Sequence, residues 1–230
     1  MTLALLMAAL LSPAAQHVSA LEDGGTLAAC GLSGFGKTTI VQRGLAGSPR
    51  LVVFDPYSSL DRRRAAAGQA RRRTWQGDAW TYEELVEARC APLRASRCRV
   101  VLDPHTLDEA ELGRRVSRAL DWCWAAGDVD VVLEEGGLYS RLAVPLINRL
   151  STGGGHAGIR LILIAQGWGR ICKDARRNVT RALLFAQEDE GDLALLAPKI
   201  GRVVAASLAT FKKGNPPVLW KQGDRKEETS

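Results

Sequence analysis

The segment "CGLSGFGKTTI", residues 30–40, decides the fold of this chain, because it fits the pattern G-x-x-x-x-G-K-[S/T] at every fixed position. The apolar stretch "TLAAC" before it favours a strand, and "TTIVQRGL" after it favours a helix. In this context the glycines let backbone N–H groups surround the β- and γ-phosphates of a nucleotide, and the start of the helix adds partial positive charge. The segment therefore predicts a loop that binds a nucleoside triphosphate.

Individual positions of this loop have expected roles. Lys37 is expected to reach the β- and γ-phosphates, and the Thr38 hydroxyl to ligate Mg²⁺, so ATP and Mg²⁺ are the expected cofactors. A glycine-rich turn that only happens to match is the alternative, and the flanking strand and helix disfavour it. The expected nucleotide-binding residues are Gly31, Leu32, Ser33, Gly34, Phe35, Gly36, Lys37, Thr38 and Thr39.

Length, charge and cysteine content limit the class of protein. A chain of 230 residues suits one α/β domain with a full core. The net charge of +6 favours a polyanionic partner. The cysteines are odd in number and none form C-x-x-C pairs, which predicts reduced cytosolic thiols and disfavours disulfides or a zinc site. They are Cys30, Cys90, Cys98, Cys123 and Cys172.

The N-terminal 20 residues imitate a secretory signal peptide, with an apolar run followed by small residues. No Lys or Arg occurs before Lys37, however, and the apolar run at 3–11 is too short to span a bilayer. We therefore expect a protein that is not secreted, with residues 1–25 forming an apolar helical extension packed on the domain or on a neighbouring subunit. Shallow membrane association is the alternative. A single domain is expected over 26–221 and a disordered charged tail over 222–230.

Apolar runs alternate with helical patterns along the rest of the chain, which predicts an α/β fold with three layers (α/β/α) and a mainly parallel central sheet. The strands expected at 50–56 and 98–104 suggest an additional strand between the loop strand and a later acidic strand, as in ATPases with a catalytic glutamate. Further apolar runs or strands are expected at 128–135, 159–166, 181–187 and 217–221, and helices at 107–126, 139–150 and 192–200.

Acidic and amide side chains end two of these strands. In "VVLEE", residues 131–135, Glu134 is expected to hold Mg²⁺ through water and Glu135 to polarise the attacking water. Gln166 ends the next apolar strand and could contact the γ-phosphate or that water. Solvated carboxylates after a strand are the alternative, which the upstream phosphate loop disfavours.

Three segments together resemble the FtsK–HerA superfamily of ring-forming, DNA-pumping ATPases. They are the loop "GLSGFGKTT", the acidic segment "VVLEEGGLYSR", and "INRLSTGGGHAGIRLILIAQ" at 147–166. The likeness extends over about residues 26–200 and includes the Asp-Pro pair after the second strand and "VTRALLFAQEDEGDLALLA". Among the members of this superfamily, the small single-domain genome-packaging ATPases of tectivirus-like icosahedral viruses are the most similar in size.

This resemblance implies an ATP-hydrolysing motor that translocates double-stranded DNA into a preformed viral capsid. It also implies a homo-oligomeric ring, expected to be a hexamer, that acts with capsid or membrane vertex proteins in the host cytoplasm or at the packaging vertex. Two other functions stay open: a P-loop kinase of a small molecule, with arginines 62–73 as its lid, and a nucleotide-dependent assembly factor without motor activity.

The chain departs from the family pattern at two places. Glu134 stands where Asp is usual, and Gly153, Gly154 and Gly155 stand where an Arg often precedes the "HAGI" turn. An arginine finger, which stabilises transition-state charge from an adjacent subunit, must then come from elsewhere. Arg149 is the first candidate, followed by Arg141 and Arg170.

Two basic runs are candidate DNA contacts, because clustered cations neutralise phosphates with little sequence preference. A solvated basic surface without a ligand is an equally open reading of the first run. The "KDARR" run, residues 173–177, is a second candidate for a pore-facing loop, and at least one of the two runs is expected to line the channel of the ring. The candidate residues are Arg62, Arg63, Arg64, Arg71, Arg72 and Arg73 in the first run, and Lys173, Arg176 and Arg177 in the second.

Overall fold

Eight strands form one sheet in the computed structural model, which describes residues 25–56, 75, 78–95, 97–101 and 108–223. Their order across the sheet is β3-β4-β2-β5-β6-β1-β7-β8. Every neighbouring pair is parallel except β7 and β8. This confirms the predicted α/β fold with a mainly parallel sheet. The strands are β1 (Thr26–Cys30), β2 (Leu51–Phe54), β3 (Asp78–Thr81), β4 (Cys98–Val101), β5 (Asp130–Glu134), β6 (Arg160–Ala165), β7 (Val179–Leu184) and β8 (Val218–Lys221).

Helices cover both faces of this sheet. They are α1 (Lys37–Gly44), α2 (Tyr82–Glu87), α3 (Ala91–Ala95), α4 (Glu109–Ala126), α5 (Gly136–Leu142), α6 (Val144–Gly153), α7 (Lys173–Asn178), α8 (Glu190–Ile200) and α9 (Arg202–Leu208). A 3₁₀ turn, Gly154–Ala157, connects α6 to β6. The predicted helix at 107–126 is confirmed as α4, which begins after Asp108, whose side chain accepts a hydrogen bond from the Glu111 N–H.

The central strands are buried on both faces, which explains why they are continuous apolar runs in the sequence. On one face, Leu27 and Ala29 of β1 pack with Val41 of α1 and with Leu45, which follows that helix. On the other face, the core includes side chains from all the remaining described helices. Among the described residues, α1 is therefore the helix that covers the face beneath the loop segment.

An additional strand separates β1 from the acidic strand β5, as predicted, but it is β6 rather than an element at 50–56 or 98–104. Strand β2 lies on the far side of β5, and β4 lies beyond β2. In a parallel sheet the crossover connections decide which strands become neighbours, so chain order alone does not give their positions. The identity predicted for the inserted strand was wrong.

The helix predicted at 139–150 was also wrong in its boundaries. Two helices occupy this region, α5 and α6, and they meet at Ala143, whose φ of −131° and ψ of 40° are not helical. Pro145 lies in the first turn of α6, where its missing N–H has no intrahelical partner to lose. The proline therefore starts a new helix instead of continuing the previous one.

Several expectations lie outside the described residues or stay untested. The apolar extension falls on residues 1–24, and the charged tail falls mostly on 224–230, so the division of the chain stays a prediction. Among the described helices, none combines the length and apolar character needed to cross a bilayer. All five cysteines are free thiols, and four of them are buried.

Candidate active site

The loop between β1 and α1 is fixed between the two strands that flank β1. The Gly31 N–H donates to the Ala165 carbonyl at the end of β6, at 3.2 Å, and the Leu32 N–H donates to the Ala186 carbonyl after β7, at 2.9 Å. Gly31 has φ +145°, and a Cβ placed on it would lie 2.6 Å from the Phe185 Cβ. Only glycine fits this turn, because both the left-handed backbone and the close neighbour exclude a side chain.

Lys37 projects back into the loop. Its ammonium donates hydrogen bonds to the carbonyl oxygens of Gly31, at 2.6 Å, and Leu32, at 2.8 Å. Burial lowers the pKa of Lys37, while the nearby Glu135 carboxylate acts in the opposite direction. The Lys37 ammonium is thus held inside the loop between β1 and α1, where phosphate oxygens are expected.

Helix α1 begins at the same loop without a side-chain cap. Gly36 precedes it with φ +88°, and no side chain accepts a hydrogen bond from its first N–H groups. These donors, together with the helix dipole, favour an anion at this end of the helix. The free backbone N–H groups of α1 and the Lys37 ammonium are therefore both suited to the same ligand, a phosphate group.

Glu134, at the end of β5, faces the loop. Its Oε1 accepts a hydrogen bond from the Thr38 hydroxyl at 2.5 Å, and its Oε2 accepts one from the Trp75 indole N–H at 3.1 Å. Burial raises the pKa of Glu134 to about 7; the two hydrogen bonds oppose this rise, and the charges of Asp55 and Glu135 add to it. Without a cation, the carboxyl group therefore holds its proton more readily than an ordinary glutamate.

Glu135 and Gln166 meet across adjacent strands. The Gln166 Nε2 donates to the Glu135 Oε1 at 3.1 Å. Glu135 has φ +67° and ψ +49°, a left-handed conformation that is uncommon outside glycine. This backbone conformation ends β5 and starts α5, and strain of this kind is typical of functional sites.

These groups surround one cleft of about 480 Å³ at the carboxyl ends of the strands. The structure therefore brings together the predicted residues Lys37, Thr38, Glu134, Glu135 and Gln166. The cleft is lined by Ser33, Gly34, Gly36, Lys37, Thr38, Thr39, Gln42, Asp55, Trp75, Glu134, Glu135, Ile164, Ala165 and Gln166.

The donor set of this cleft fits Mg²⁺. The Thr38 hydroxyl donates a hydrogen bond of 2.5 Å to a Glu134 carboxylate oxygen, so two oxygen donors lie together beside the loop. Hydroxyl and carboxylate oxygens are the ligands that Mg²⁺ takes alongside nucleotide phosphates and water. Glu134 in place of the usual Asp still reaches Thr38.

Sequence reasoning missed three residues whose side chains bring polar groups to the cleft. Asp55, which is buried after β2, contributes negative charge beside Glu134. The Asp-Pro pair that ends its strand was a signal for it. Trp75 is buried and donates to Glu134, and Gln42 lines the cleft from α1. Nothing in the sequence pattern marked these last two contacts.

The loop that follows Gln166 rests on a buried carboxylate. The Gly169 N–H donates to the Asp192 Oδ1 at 2.6 Å. A Cβ placed on Gly167 would lie only 2.2 Å from the Asp192 Oδ2, so a residue without a side chain is needed there. The first turn of α8, which carries Asp192, therefore positions the segment next to Gln166.

None of the three arginine-finger candidates lines the cleft of its own chain. Arg149 lies 3.4 Å from Asp121 and stacks 4.1 Å from the centre of the Trp124 ring. It stands on α6, which leads to the opposite end of β6 from the cleft. Arg141 pairs with Glu109 at 3.1 Å. Because a finger acts on a neighbouring subunit, the assignment stays a prediction.

Gly153 and Gly154, in the turn before β6, have a packing role. A Cβ on Gly153 would lie 3.1 Å from the Trp124 ring, and one on Gly154 would lie 3.1 Å from the Ile159 carbonyl oxygen. The turn before β6 therefore approaches its neighbours too closely for a long side chain at these two positions.

One of the two basic runs is described. Lys173, Arg176 and Arg177 lie on α7, so the pore-facing loop expected here is a helix. Arg177 is 3.7 Å from Asp174, an exposed pair one turn away on the same helix. The first run, arginines 62–64 and 71–73, lies outside the described residues. The DNA-binding assignment of both runs stays a prediction.

The fold and the loop define a P-loop NTPase fold. One solved structure with this fold is the genome-packaging NTPase B204 of Sulfolobus turreted icosahedral virus 2 in complex with ATPγS, which shares 14% identity at a TM-score of 0.62. That match covers 88% of this chain and 94% of the other. The DNA-packaging ATPase B204 of Sulfolobus turreted icosahedral virus shares 15% identity at a TM-score of 0.56 and covers 86% and 97%.

VirB4 of Thermoanaerobacter pseudethanolicus is also similar in structure, with 14% identity, a TM-score of 0.57 and coverage of 90% of both chains. No protein-family model matches the chain, and no curated protein matches it in sequence. The likeness to packaging ATPases that the motifs indicated is thus confirmed at the level of the fold.

Proposed function

We propose that this protein is an ATPase of the FtsK–HerA superfamily that translocates double-stranded DNA and packages a viral genome into a preformed capsid. The observation that carries the proposal is the meeting of a phosphate loop with Glu134, Glu135 and Gln166 in one cleft. The superfamily assignment rests on the three sequence segments, and the structural likeness to packaging NTPases supports it.

Hydrolysis follows from the positions of these side chains. The phosphates of ATP enter the loop, where Lys37 exchanges its two carbonyl partners for phosphate oxygens. Glu135 accepts a proton from a water molecule as that water's oxygen bonds to the γ-phosphorus and the bond to ADP breaks. Gln166, which lies 3.1 Å from Glu135, orients the same water from the neighbouring strand.

Thr38 and Glu134 would hold Mg²⁺, Thr38 directly and Glu134 through water. When bound, the ion supplies positive charge that neutralises the phosphate oxygens. The cation also favours the ionised form of Glu134, which burial otherwise disfavours.

Translocation needs contacts beyond this chain. The basic residues of α7 and the net charge of +6 support contact with a DNA backbone. Among the described residues, no arginine lines the cleft, which supports a finger donated by an adjacent subunit of a ring, with Arg149, Arg141 and Arg170 as candidates. A hexamer and contacts with capsid or membrane vertex proteins belong to the same proposal.

The pairing of Glu135 with Gln166 favours hydrolysis over the alternatives. Both groups suit the activation of water, whereas a small-molecule kinase needs a phosphoacceptor pocket and a lid. A nucleotide-dependent switch that does not hydrolyse ATP does not need a carboxylate paired with Gln166 at the end of the neighbouring strand. The kinase and the assembly factor therefore stay as second choices.

The decisive experiment is steady-state ATP hydrolysis with and without linear double-stranded DNA, together with measurement of ring formation. We expect DNA to stimulate hydrolysis, and Glu135→Gln to abolish most of it while retaining ATP binding. Glu87→Gln, an exposed glutamate on α2, is the matched control. Hydrolysis that DNA does not stimulate, in a protein that remains monomeric, would contradict the motor.

The DNA contacts can be tested in the same assay. Replacing Lys173, Arg176 and Arg177 with Ala is expected to weaken DNA stimulation and reduce its dependence on salt. The same test applies to arginines 71–73. Arg114→Ala, on the exposed side of α4, is the control. A cluster whose removal leaves both the stimulation and its salt dependence unchanged does not contact DNA.

A further inference from the structure

The turn between α9 and β8 carries a lysine in a fixed geometry. The Asn215 N–H donates to the Lys212 carbonyl at 3.0 Å, and the Lys212 N–H donates to the Asn215 side-chain oxygen at 2.6 Å. Gly214 takes the left-handed conformation that closes the turn, with φ +97°. These contacts present Lys213 at the tip of the turn.

Lys213 lies against the phosphate loop. A Cβ placed on Gly34 would lie 3.6 Å from both the Cε and the Nζ of Lys213. Gly34 is the fourth residue of the loop and lines the cleft. Lys213 is exposed, and no ion pair joins it to a carboxylate within the described part of the chain.

The turn is anchored to the sheet on the side of β1 opposite to Glu134 and Glu135. The strand that follows it, β8, pairs with β7, and β7 pairs with β1. The Gln187 N–H after β7 donates to the Leu208 carbonyl at the end of α9, at 3.2 Å. Backbone hydrogen bonds to β7 and to the residue Gln187 after it therefore hold both ends of the turn on the β7 side of the phosphate loop.

The order of the strands decides which end of a nucleotide this side receives. Glu135 and Gln166 follow β5 and β6, on one side of β1. In the proposed function these residues act on the γ-phosphate, which would therefore point to that side. A linear triphosphate then directs its α-phosphate and nucleoside towards β7 and β8. The Lys213 ammonium stands on this second side.

We propose that Lys213 is a second cationic ligand of the nucleotide and contacts its α- or β-phosphate from the same chain. The inference rests on the proposed function, because it requires a nucleotide in the loop. The Lys37 side chain is buried inside the phosphate loop, whereas the Lys213 side chain is exposed and approaches the loop from outside. Since ADP and ATP share the α- and β-phosphates, Lys213 stabilises both bound nucleotides.

The test is nucleotide binding by the full chain, with ADP and a non-hydrolysable ATP analogue titrated into wild type and variants by calorimetry. Lys213→Ala is expected to raise the Kd of both nucleotides about tenfold, as loss of a charge-assisted hydrogen bond does. The ratio of the two Kd values is expected to stay unchanged. Lys213→Arg is expected to retain most of the affinity.

Lys212→Ala is the matched control, because Lys212 is the adjacent exposed lysine of the same turn and is expected to change either Kd less than twofold. Equal effects of Lys212→Ala and Lys213→Ala would show non-specific attraction and overturn the inference. So would a Lys213→Ala protein that binds as wild type does, or a loss confined to the ATP analogue. Failure of wild type to bind either nucleotide would overturn the proposed function as well, so the two failures are distinguishable.

Discussion

Gln166 donates a hydrogen bond of 3.1 Å to Glu135 and so joins the carboxyl ends of two adjacent strands, β6 and β5. The backbone at or next to each of the two residues is also fixed by the surrounding structure. Glu135 starts α5 in a left-handed conformation, and the segment after Gln166 rests on Asp192. The pair therefore forms a preorganised wall of the cleft, facing the end where a γ-phosphate would lie.

The first prediction concerns this pair. Gln166→Ala is expected to lower kcat about tenfold with little change in nucleotide Kd, because the water and Glu135 lose an orienting group. Glu135→Gln is expected to lower kcat by two to three orders of magnitude, on the order of the loss of a general base. The double variant is expected to be no slower than Glu135→Gln alone, since the two residues act on one water. Additive losses measured by phosphate release would contradict this coupling.

The second prediction concerns the pH dependence of stability in the nucleotide-free protein. Because burial raises the pKa of Glu134 from 4.5 to about 7, folding favours its protonated form. This stabilising contribution is full below about pH 4.5 and is lost as the pH rises through 7, a loss on the order of 3 kcal/mol. Glu134→Gln stays neutral and is expected to gain stability over wild type across this range.

Urea unfolding at pH 5 and pH 8, with a chelator present, measures this difference. Glu87→Gln, which alters an exposed carboxylate, is the control and is expected to follow wild type. Parallel pH profiles for Glu134→Gln and wild type would show that Glu134 is ionised in the folded protein throughout this range.

The third prediction separates two glycines of the phosphate loop. Gly31→Ala is expected to destabilise the fold by about 3 kcal/mol or more, because its Cβ would lie 2.6 Å from Phe185 in a left-handed turn. Gly36→Ala meets no neighbour within 4 Å and is expected to cost only about 1 kcal/mol for its backbone conformation. Thermal unfolding ranks the two variants, and an equal loss would contradict the steric argument.

The fourth prediction compares two aspartates at the start of α8. Asp192→Ala removes the acceptor for the Gly169 N–H and is expected to lower kcat several-fold, because Gln166 loses its anchored neighbour. Asp189→Ala removes the helix cap and is expected to cost about 1 kcal/mol of stability with a smaller effect on kcat. Losses of kcat that merely follow the loss of stability in both variants would exclude a positioning role for Asp192.

The sequence allowed much of the loop and the acidic strand to be predicted, because backbone requirements restrict these positions to few residue types. Gly31 can only be glycine there, and Lys37 and Thr38 follow at fixed spacing. Glu134 and Gln166 were predicted because they end apolar strands downstream of a phosphate loop, whereas a Gln at the end of a strand carries little information by itself.

Contacts between distant segments were not predictable in this way. The donation from Trp75 to Glu134 and the approach of Lys213 to Gly34 depend on how loops pack, for which a single sequence has no periodic signal. The same holds for β6, whose place between β1 and β5 follows from crossover connections and not from composition. The division of 139–150 into two helices had a local signal, Pro145, that was not used.

The position of β1 in the sheet has a consequence for how the protein is made. β1 and its loop are synthesised early, yet both of its partners, β6 and β7, come from the second half of the chain, and Thr38 and Glu134 are 96 residues apart. Non-local pairing of this kind forms late in folding. A nascent chain that ends before residue 165 lacks both carbonyls that hold the loop as well as Gln166, and one that ends before residue 186 still lacks the Ala186 carbonyl, so the nucleotide cleft is complete only once the segment after β7 has been made.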